Sequence, residues 1–330
     1  MTEATDDKPS PIRACLWAAF GSGGAIVSAL TAAGFASGLW RPFELMSHFR
    51  AQYFLCLALA AIALAVLRRR ITAAVFAAFA LVNLAVLLPL YVGGERRARR
   101  PDTLRAMTMN IHTANRDVGS VRRAIRESAP DFLLLQEVND RWLADLDELR
   151  ATYPHVLAEP REDNFGIALF SKLPFRTVRI TYVGQAKVPS VLAELAAPGG
   201  VFTVFGTHPL PPSGWGCSRL RNRQLAAIPA ALAQVTTPIV LMGDLNVTRF
   251  SVYFDRLLEA SGLHDSALGH GYQATWPTHR PMFLIPIDHC LHSPDIGIVD
   301  RQVGPQVGSD HYPLIVDFNL PANGGRGSHP

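Results

Sequence analysis

No Asp, Glu, Lys or Arg falls within residues 14–40, 51–67 or 71–94. A bilayer requires such runs: at about 1.5 Å of helical rise per residue, roughly 20 consecutive apolar residues cross the hydrocarbon core. The first and third runs reach that length and the second sits near the lower limit, so they predict three transmembrane helices within residues 1–95. A cleaved signal peptide followed by two core helices does not account for the pattern. The first run is too long, and no short apolar region with a cleavage site stands ahead of the others. Composition agrees, since 49% hydrophobic residues and a mean hydropathy of +0.16 are too apolar for an ordinary soluble chain of this length.

Cytoplasmic loops retain Lys and Arg. Arg68-Arg69-Arg70 forms a very short turn between the second and third runs, where three positive charges are hard to translocate. With three spans this puts the N-terminus inside and the C-terminal region outside the cytoplasm. Arg96, Arg97, Arg99 and Arg100 then lie on the outer side, against the simple count, and would sit against anionic head groups, each worth on the order of 1 kcal/mol. The basic charge belongs to this N-terminal part: residues 1–100 hold 11 Lys+Arg against 5 Asp+Glu, whereas residues 101–330 hold 20 against 22. A domain that grips nucleic acid normally shows a Lys/Arg-rich face. Here the later part contains only Lys172 and Lys187 as lysines, which argues against a nuclease without excluding one.

Residues 96–102 read as a linker, and from residue 103 the chain alternates strand-like and helix-like segments. Residues 103–111 and 132–137 read as strands, each followed by a helix, at 117–128 and 140–150. Close-spaced strands at 167–170, 175–182, 190–195 and 201–207 suggest an antiparallel meander, followed by a helix at 218–234 with Leu220, Leu225, Ile228 and Leu232 on its apolar side. Buried strands at 239–242, 287–291 and 314–318 complete the pattern. Mixed strands with helices outside predict an α/β domain over 103–320, built as a two-sheet α/β sandwich, with a disordered tail at 321–330. Cys15 and Cys56 fall in the apolar runs. Cys217 and Cys290 fall in the domain, either paired or free, and no Cys/His spacing suggests structural zinc.

A strand buried on both faces is apolar throughout, so a polar residue at its C-terminal end is carried to one rim of the sheet. Six motifs stand at the ends of apolar runs: Met109-Asn110-Ile111, Leu135-Gln136-Glu137, Gly206-Thr207-His208, Gly243-Asp244-Leu245-Asn246, Ile287-Asp288-His289 and Ser309-Asp310-His311. Asn110 and Glu137 offer oxygen ligands of the kind Mg²⁺ takes. Alone, they are ordinary turn residues. Asp244 and Asn246, two positions apart, face one side if the strand continues through them, and could orient a water and bind a phosphate oxygen. His311 held by Asp288 would have a fixed tautomer and a stabilised imidazolium, as a general base does, with Asp310 directed toward the metal. In isolation His311 reads as a loop histidine.

In this order, Asn110, Gln136-Glu137, His208, Gly243-Asp244-Leu245-Asn246, Asp288 and Ser309-Asp310-His311 resemble the endonuclease/exonuclease/phosphatase superfamily, over about residues 104–318. That is the deoxyribonuclease I-like fold, shared by abasic-site endonucleases, sphingomyelinases and inositol polyphosphate 5-phosphatases. The resemblance implies that Glu137, with Asn110 and Asp310, holds Mg²⁺ or Mn²⁺, that Asp244 orients the attacking water or the phosphorus centre and that Asn246 binds a phosphoryl oxygen. It implies a catalytic role for His311 with Asp288, a phosphate-binding or proton-donating role for His208, and support from behind the site by Arg221 and Gln224. Direct displacement by water at phosphorus is the reaction implied.

An N-terminal three-helix transmembrane region ahead of such a domain resembles the membrane-anchored bacterial branch that includes teicoplanin-resistance-type proteins. The implied substrate is a polyprenyl pyrophosphate or related phosphorylated lipid, with nucleic acid as the alternative. The implied partner is the lipid bilayer. Trp215, Trp276 and Phe283 fall in loops near the motifs, where they could meet the membrane interface or pack. Pro209-Leu210-Pro211-Pro212 after His208 departs from the nuclease members.

Overall fold

Ser10 accepts a hydrogen bond from the Arg13 backbone N–H and Pro11 occupies the first helical position, which together start α1 (Pro11–Phe35). The computed structural model describes residues 10–321 and divides into two units, meeting at Leu88 and Pro89. In the first unit, α1 buries Gly24, Ser28, Thr31 and Gly34, a stripe of small residues at helical spacing that lets neighbouring helices approach. α2 (Arg41–Ser47) and α3 (Arg50–Val66) follow. α3 then packs against α4 (Arg70–Leu87) through Leu57, Ala60, Leu64, Ala73, Phe76 and Ala80.

Pro11–Phe35 and Arg70–Val92 are long and apolar enough to cross a membrane. The expected middle span is not one straight helix. α2 and α3 bend by 70° at their break and qualify as a span only together. The apolar run 51–67 is too short alone, and the residues that complete it carry Arg41, Glu44 and Arg50.

The second unit begins with the short helix α5 (Pro89–Val92) and contains two six-stranded sheets. Its strands are β1 (Leu104–Asn110), β2 (Phe132–Gln136), β3 (His155–Glu159), β4 (Ile167–Ser171), β5 (Phe175–Tyr182), β6 (Pro189–Ala197), β7 (Gly200–Thr207), β8 (Ile239–Asp244), β9 (His264–Asp265), β10 (Asp288–His292), β11 (Gly297–Val303) and β12 (Leu314–Asn319). One sheet runs β11-β12-β1-β2-β4-β3 and the other β5-β6-β7-β8-β10-β9. Phe132, Leu134, Phe202, Met242, Leu314 and Phe318 fill the space between them. α6 (Val118–Ser128) and α7 (Asp140–Asp145) cover the first sheet through Val121, Ile125 and Trp142. α8 (Trp215–Leu232) and α9 (Val252–Ser261) cover the second through Leu225, Ile228, Phe254 and Leu257. This is the two-sheet α/β sandwich that the alternation of segments predicts.

Two parallel pairs set the position of the site. β1 runs parallel to β2 and β7 parallel to β8, so Asn110, Gln136, Thr207 and Asp244 end their strands in the same sense within each sheet. β10 is antiparallel to β8, with Asp288 opposite Asp244. β12 is antiparallel to β1, so the loop entering β12 arrives at the same rim.

The expected four-strand meander is split. β4 pairs with β2 and β3, whereas β5, β6 and β7 form a meander in the other sheet; the turn through Lys172-Leu173-Pro174 carries the chain across. β3 and β11 escape a hydropathy reading because they are edge strands interrupted by polar residues, His155 and Glu159 at the two ends of β3 and Asp300, Arg301 and Gln302 within β11. The helix expected at 140–150 is α7 followed by a 3-10 turn, Asp147–Ala151. Residues 96–102 are laced to the domain rather than left as a free connector: Arg97 N donates to Ile298 O at 2.7 Å, Arg99 pairs with Asp317, and Arg100 Nη2 donates to Leu320 O at 2.6 Å. Arg96 likewise donates to Gly269 O at 2.7 Å. Cys217 and Cys290 are free thiols. The tail at 322–330 lies outside the described residues.

Candidate active site

Asp244 closes β8 and is the hub of the rim. Its Oδ2 lies 3.4 Å from His208 Nε2, 3.6 Å from His311 Nε2, 3.4 Å from Asn110 Nδ2 and 3.5 Å from Asn246 Nδ2, while its Oδ1 accepts the Asn246 backbone N–H at 2.8 Å. His311 Nδ1 is 2.9 Å from Asp288 Oδ2, a bond that orients the ring and leaves Nε2 facing Asp244. Asp244, Asp288, His208 and His311 are all buried, whereas Glu137 and Asp310 are half-buried.

The backbone is contorted to bring these groups together. Glu137 and Asn246 adopt positive φ, at 61° and 52°, in the left-handed region that side chains normally avoid. Asn246 therefore reaches Asp244 through a tight turn and not along a continuing strand, contrary to the extended geometry expected of the pair. Gly243 has φ 140°, and a Cβ there would stand 2.0 Å from Thr207 O, so no other residue fits between β7 and β8.

Electrostatics follow the geometry. Burial alone would raise the pKa of Asp244, but the charge of His311 and the hydrogen bond and charge of His208 outweigh it and hold the carboxyl below its usual range. Burial would lower both histidines, yet His208 is held up by its hydrogen bond to Asp244, and His311 is pushed up to about 10 by Asp288 and Asp244. His311 is thereby held in its charged form at neutral pH, and His208 is shifted toward its own. A charged imidazolium suits stabilising a phosphoryl oxygen or a departing oxygen.

Arg221 donates to Asn246 O at 2.6 Å, and Gln224 to Thr207 Oγ1 at 3.4 Å, so both act on the site through residues beside it. Further groups support the site, of which Phe165 and Thr113 carry no signal of their own in the sequence. Phe165 lies against the His208 ring at 5.3 Å between centroids. Trp276 lies 6.3 Å from the His311 ring and donates its indole N–H to Asp310 Oδ2 at 3.0 Å. Thr113 N donates to Glu137 Oε2 at 3.2 Å, and Ser309 Oγ donates to Asn110 O at 2.7 Å. The Asp163-Asn164 turn ahead of Phe165 is the one local feature that could have drawn attention to that loop. Trp215 opens α8 and Phe283 ends the 3-10 turn Pro281–Phe283, neither in a plain loop.

Among the described residues, Asp244, Asp288 and His311 form a group whose ligand atoms lie within 4.8 Å of one another. Asp288 and His311 are already bonded to each other, however. A hard divalent cation fits the half-buried acids better: Glu137 faces the rim, and Asp310 Oδ1 is buried with no hydrogen-bond partner. Asn110 accepts from His112 N with its Oδ1 at 3.1 Å and donates with its Nδ2 to Glu137 Oε1 at 2.9 Å. It thus meets Glu137 as a donor.

The family model described as Endonuclease/Exonuclease/phosphatase family matches residues 107–311. No curated protein matches the chain. Similar solved structures include humanised D. rerio TDP2 (15% identity, TM-score 0.56, 66% of this chain and 100% of that one) and the human Nocturnin catalytic domain with bound sulfate anion (19%, 0.55, 68% and 97%). A third is an endonuclease/exonuclease/phosphatase from Beutenbergia cavernae DSM 12333 (22%, 0.51, 67% and 72%). At these identities the structures establish the shared fold.

Proposed function

The chain belongs to the endonuclease/exonuclease/phosphatase family of metal-dependent phosphoesterases, and from that premise we propose that it hydrolyses a phosphate ester or pyrophosphate of a membrane lipid, with a polyprenyl pyrophosphate as the leading substrate. The observation that carries this reading is the convergence of His208, His311, Asn110 and Asn246 on Asp244, in a chain whose N-terminal helices are apolar enough to span a bilayer.

Asp244, ionised, accepts a hydrogen bond from the attacking water, aligns it with phosphorus and takes its proton as the P–O bond forms. The new P–O bond forms as the bond to the leaving oxygen breaks. His311, oriented by Asp288, presents Nε2–H to the charge that develops on the equatorial oxygens, and His208 protonates the leaving oxygen. Asn246 adds a neutral donor. Glu137 and Asp310 would hold Mg²⁺ or Mn²⁺, which when bound neutralises substrate charge. The tri-Arg turn before α4 argues for a catalytic unit outside the cytoplasm. A reporter fused after Pro330 that is active only in the cytoplasm would reverse that placement.

A lipid substrate is favoured over nucleic acid because residues 101–330 carry no net positive charge. The test is phosphate release by the full-length protein in detergent from a long-chain polyprenyl pyrophosphate, run beside plasmid nicking, with and without chelator and with His311→Ala. Release that needs both metal and His311 while the plasmid stays intact supports the lipid reading. Nicking without release moves the substrate to nucleic acid.

A further inference from the structure

We propose that the N-terminal unit carries a second binding site, for the phosphate of a phosphate-headed lipid, with Arg50 as its positive pole. Arg50 stands at the break between α2 and α3 and is only 2% exposed. Its Nη1 donates to Thr31 O of α1 at 3.0 Å and lies 3.5 Å from Asn83 Oδ1 of α4. Asn83 in turn donates to Thr31 Oγ1 at 3.0 Å and to Phe79 O at 2.9 Å. The guanidinium carbon lies 4.2 Å over the Phe35 ring, and a Cβ on Gly34 would come within 2.8 Å of Nη2, so α1 has a recess that fits this side chain.

Charge balance is what this cluster lacks. Every hydrogen-bond acceptor of Arg50 is a neutral oxygen, its Nε is buried with no hydrogen-bond partner, and among the described residues no carboxylate lies within ion-pairing distance. The neighbouring buried acid, Glu44, faces His48 at 3.3 Å. A buried guanidinium without a counter-charge is costly in any low-dielectric medium and more so inside a bilayer, where such residues mark binding sites. Broken helices at membrane depth are tolerated where they line a site.

The position selects the ligand. Thr31 lies in the last turns of α1, Asn83 near the end of α4, and Arg50 at the start of α3, so all three mark the end of the bundle from which the chain leaves for Pro89. That end meets the phosphate layer of the bilayer, and the guanidinium fork, with Nε unused, matches two phosphate oxygens. The proposal rests on the membrane reading of this unit and not on the identity of the catalytic substrate.

The test uses full-length protein in a neutral glycoside detergent: wild type, Arg50→Met, Arg50→Lys and Asp244→Asn. Each is assayed for lipid phosphorus retained through washing and for Tm with added phosphatidylglycerol, long-chain polyprenyl phosphate or inorganic phosphate. Expected is one retained phosphate-headed lipid in wild type and Asp244→Asn, lost in Arg50→Met and partly kept in Arg50→Lys. A lipid-dependent rise in Tm should follow the same pattern, and the lipid giving the larger rise identifies the source. Equal retention in Arg50→Met, a wild type that retains none, or an equal response to inorganic phosphate overturns the site; the wild-type outcomes do not depend on the variants folding. Membrane-fraction partitioning of wild type, measured separately, reports whether the anchor reading itself fails.

Discussion

The catalytic rim and the Arg50 cluster bury charge in opposite ways. At the rim, acids and histidines come together: Asp288 holds His311, and His311 and His208 both face Asp244, so each charge of this cluster has a partner of opposite sign within 3.6 Å. The pKa shifts run as mutual stabilisation requires, with Asp244 down and both histidines up. In the N-terminal unit a single guanidinium is buried among neutral oxygens. A balanced cluster is preorganised before any ligand arrives, which is what stabilising a transition state demands. An unbalanced one is completed by its ligand.

The largest effects test the balanced cluster. His311→Ala or Asp244→Asn should lower kcat/KM by about 10²–10⁴-fold, the usual contribution of a proton-transferring or charge-stabilising side chain, and should lower Tm as well because a buried partner charge is left uncompensated. A fall below tenfold in both would break the comparison, because the buried charges would then be structural. Gly243→Ala should cost on the order of 3 kcal/mol from its positive φ and the clash with Thr207 O, seen as a lower Tm accompanied by lost activity.

Smaller effects sharpen it. Trp276→Phe keeps a ring beside His311 but removes the donor to Asp310, and should lower kcat/KM by about 10-fold, the low end of what one hydrogen bond to a charged group contributes. Titrating metal against this variant should show weaker activation if Asp310 is a ligand. Away from the site, burial would raise Asp317, but hydrogen bonds from Arg105 and Arg99 win and hold its pKa below the usual carboxylate value. A depressed folded-state pKa contributes stability above the unfolded value of about 3.9, and that stability is lost as pH falls through the folded one. The Tm of the catalytic unit should therefore drop on acidification below about pH 4, and less steeply in Asp317→Asn. Equal slopes would show that the Arg99–Asp317–Arg105 seam does not hold the linker.

Much of the candidate site was legible because strand ends are local. An apolar run that terminates in Asn110, Glu137, His208 or Asp244 announces where its polar residue will stand, whatever the strand order, whereas Asp288 opens β10 and reaches the same rim because that strand runs antiparallel to β8. Phe165 and Trp276 were not legible as supports, since stacking on His208 and His311 joins residues 43 and 35 positions apart and leaves no periodic trace. The same holds for Arg50. From the sequence it is a charge flanking a short apolar run, and only the convergence of α1, α3 and α4 turns it into a buried cation.

By itself the sequence determined the division into an apolar N-terminal part and an α/β domain, the two-sheet sandwich, and the set of polar residues carried to one rim, because hydropathy, periodicity and strand ends are properties of contiguous chain. The tertiary structure alone decided the split of the meander between sheets, the donor role of Asn110, the cationic state of His311 and the burial of Arg50. Each of these depends on distances between segments remote in sequence, and it is those distances that set desolvation and charge pairing.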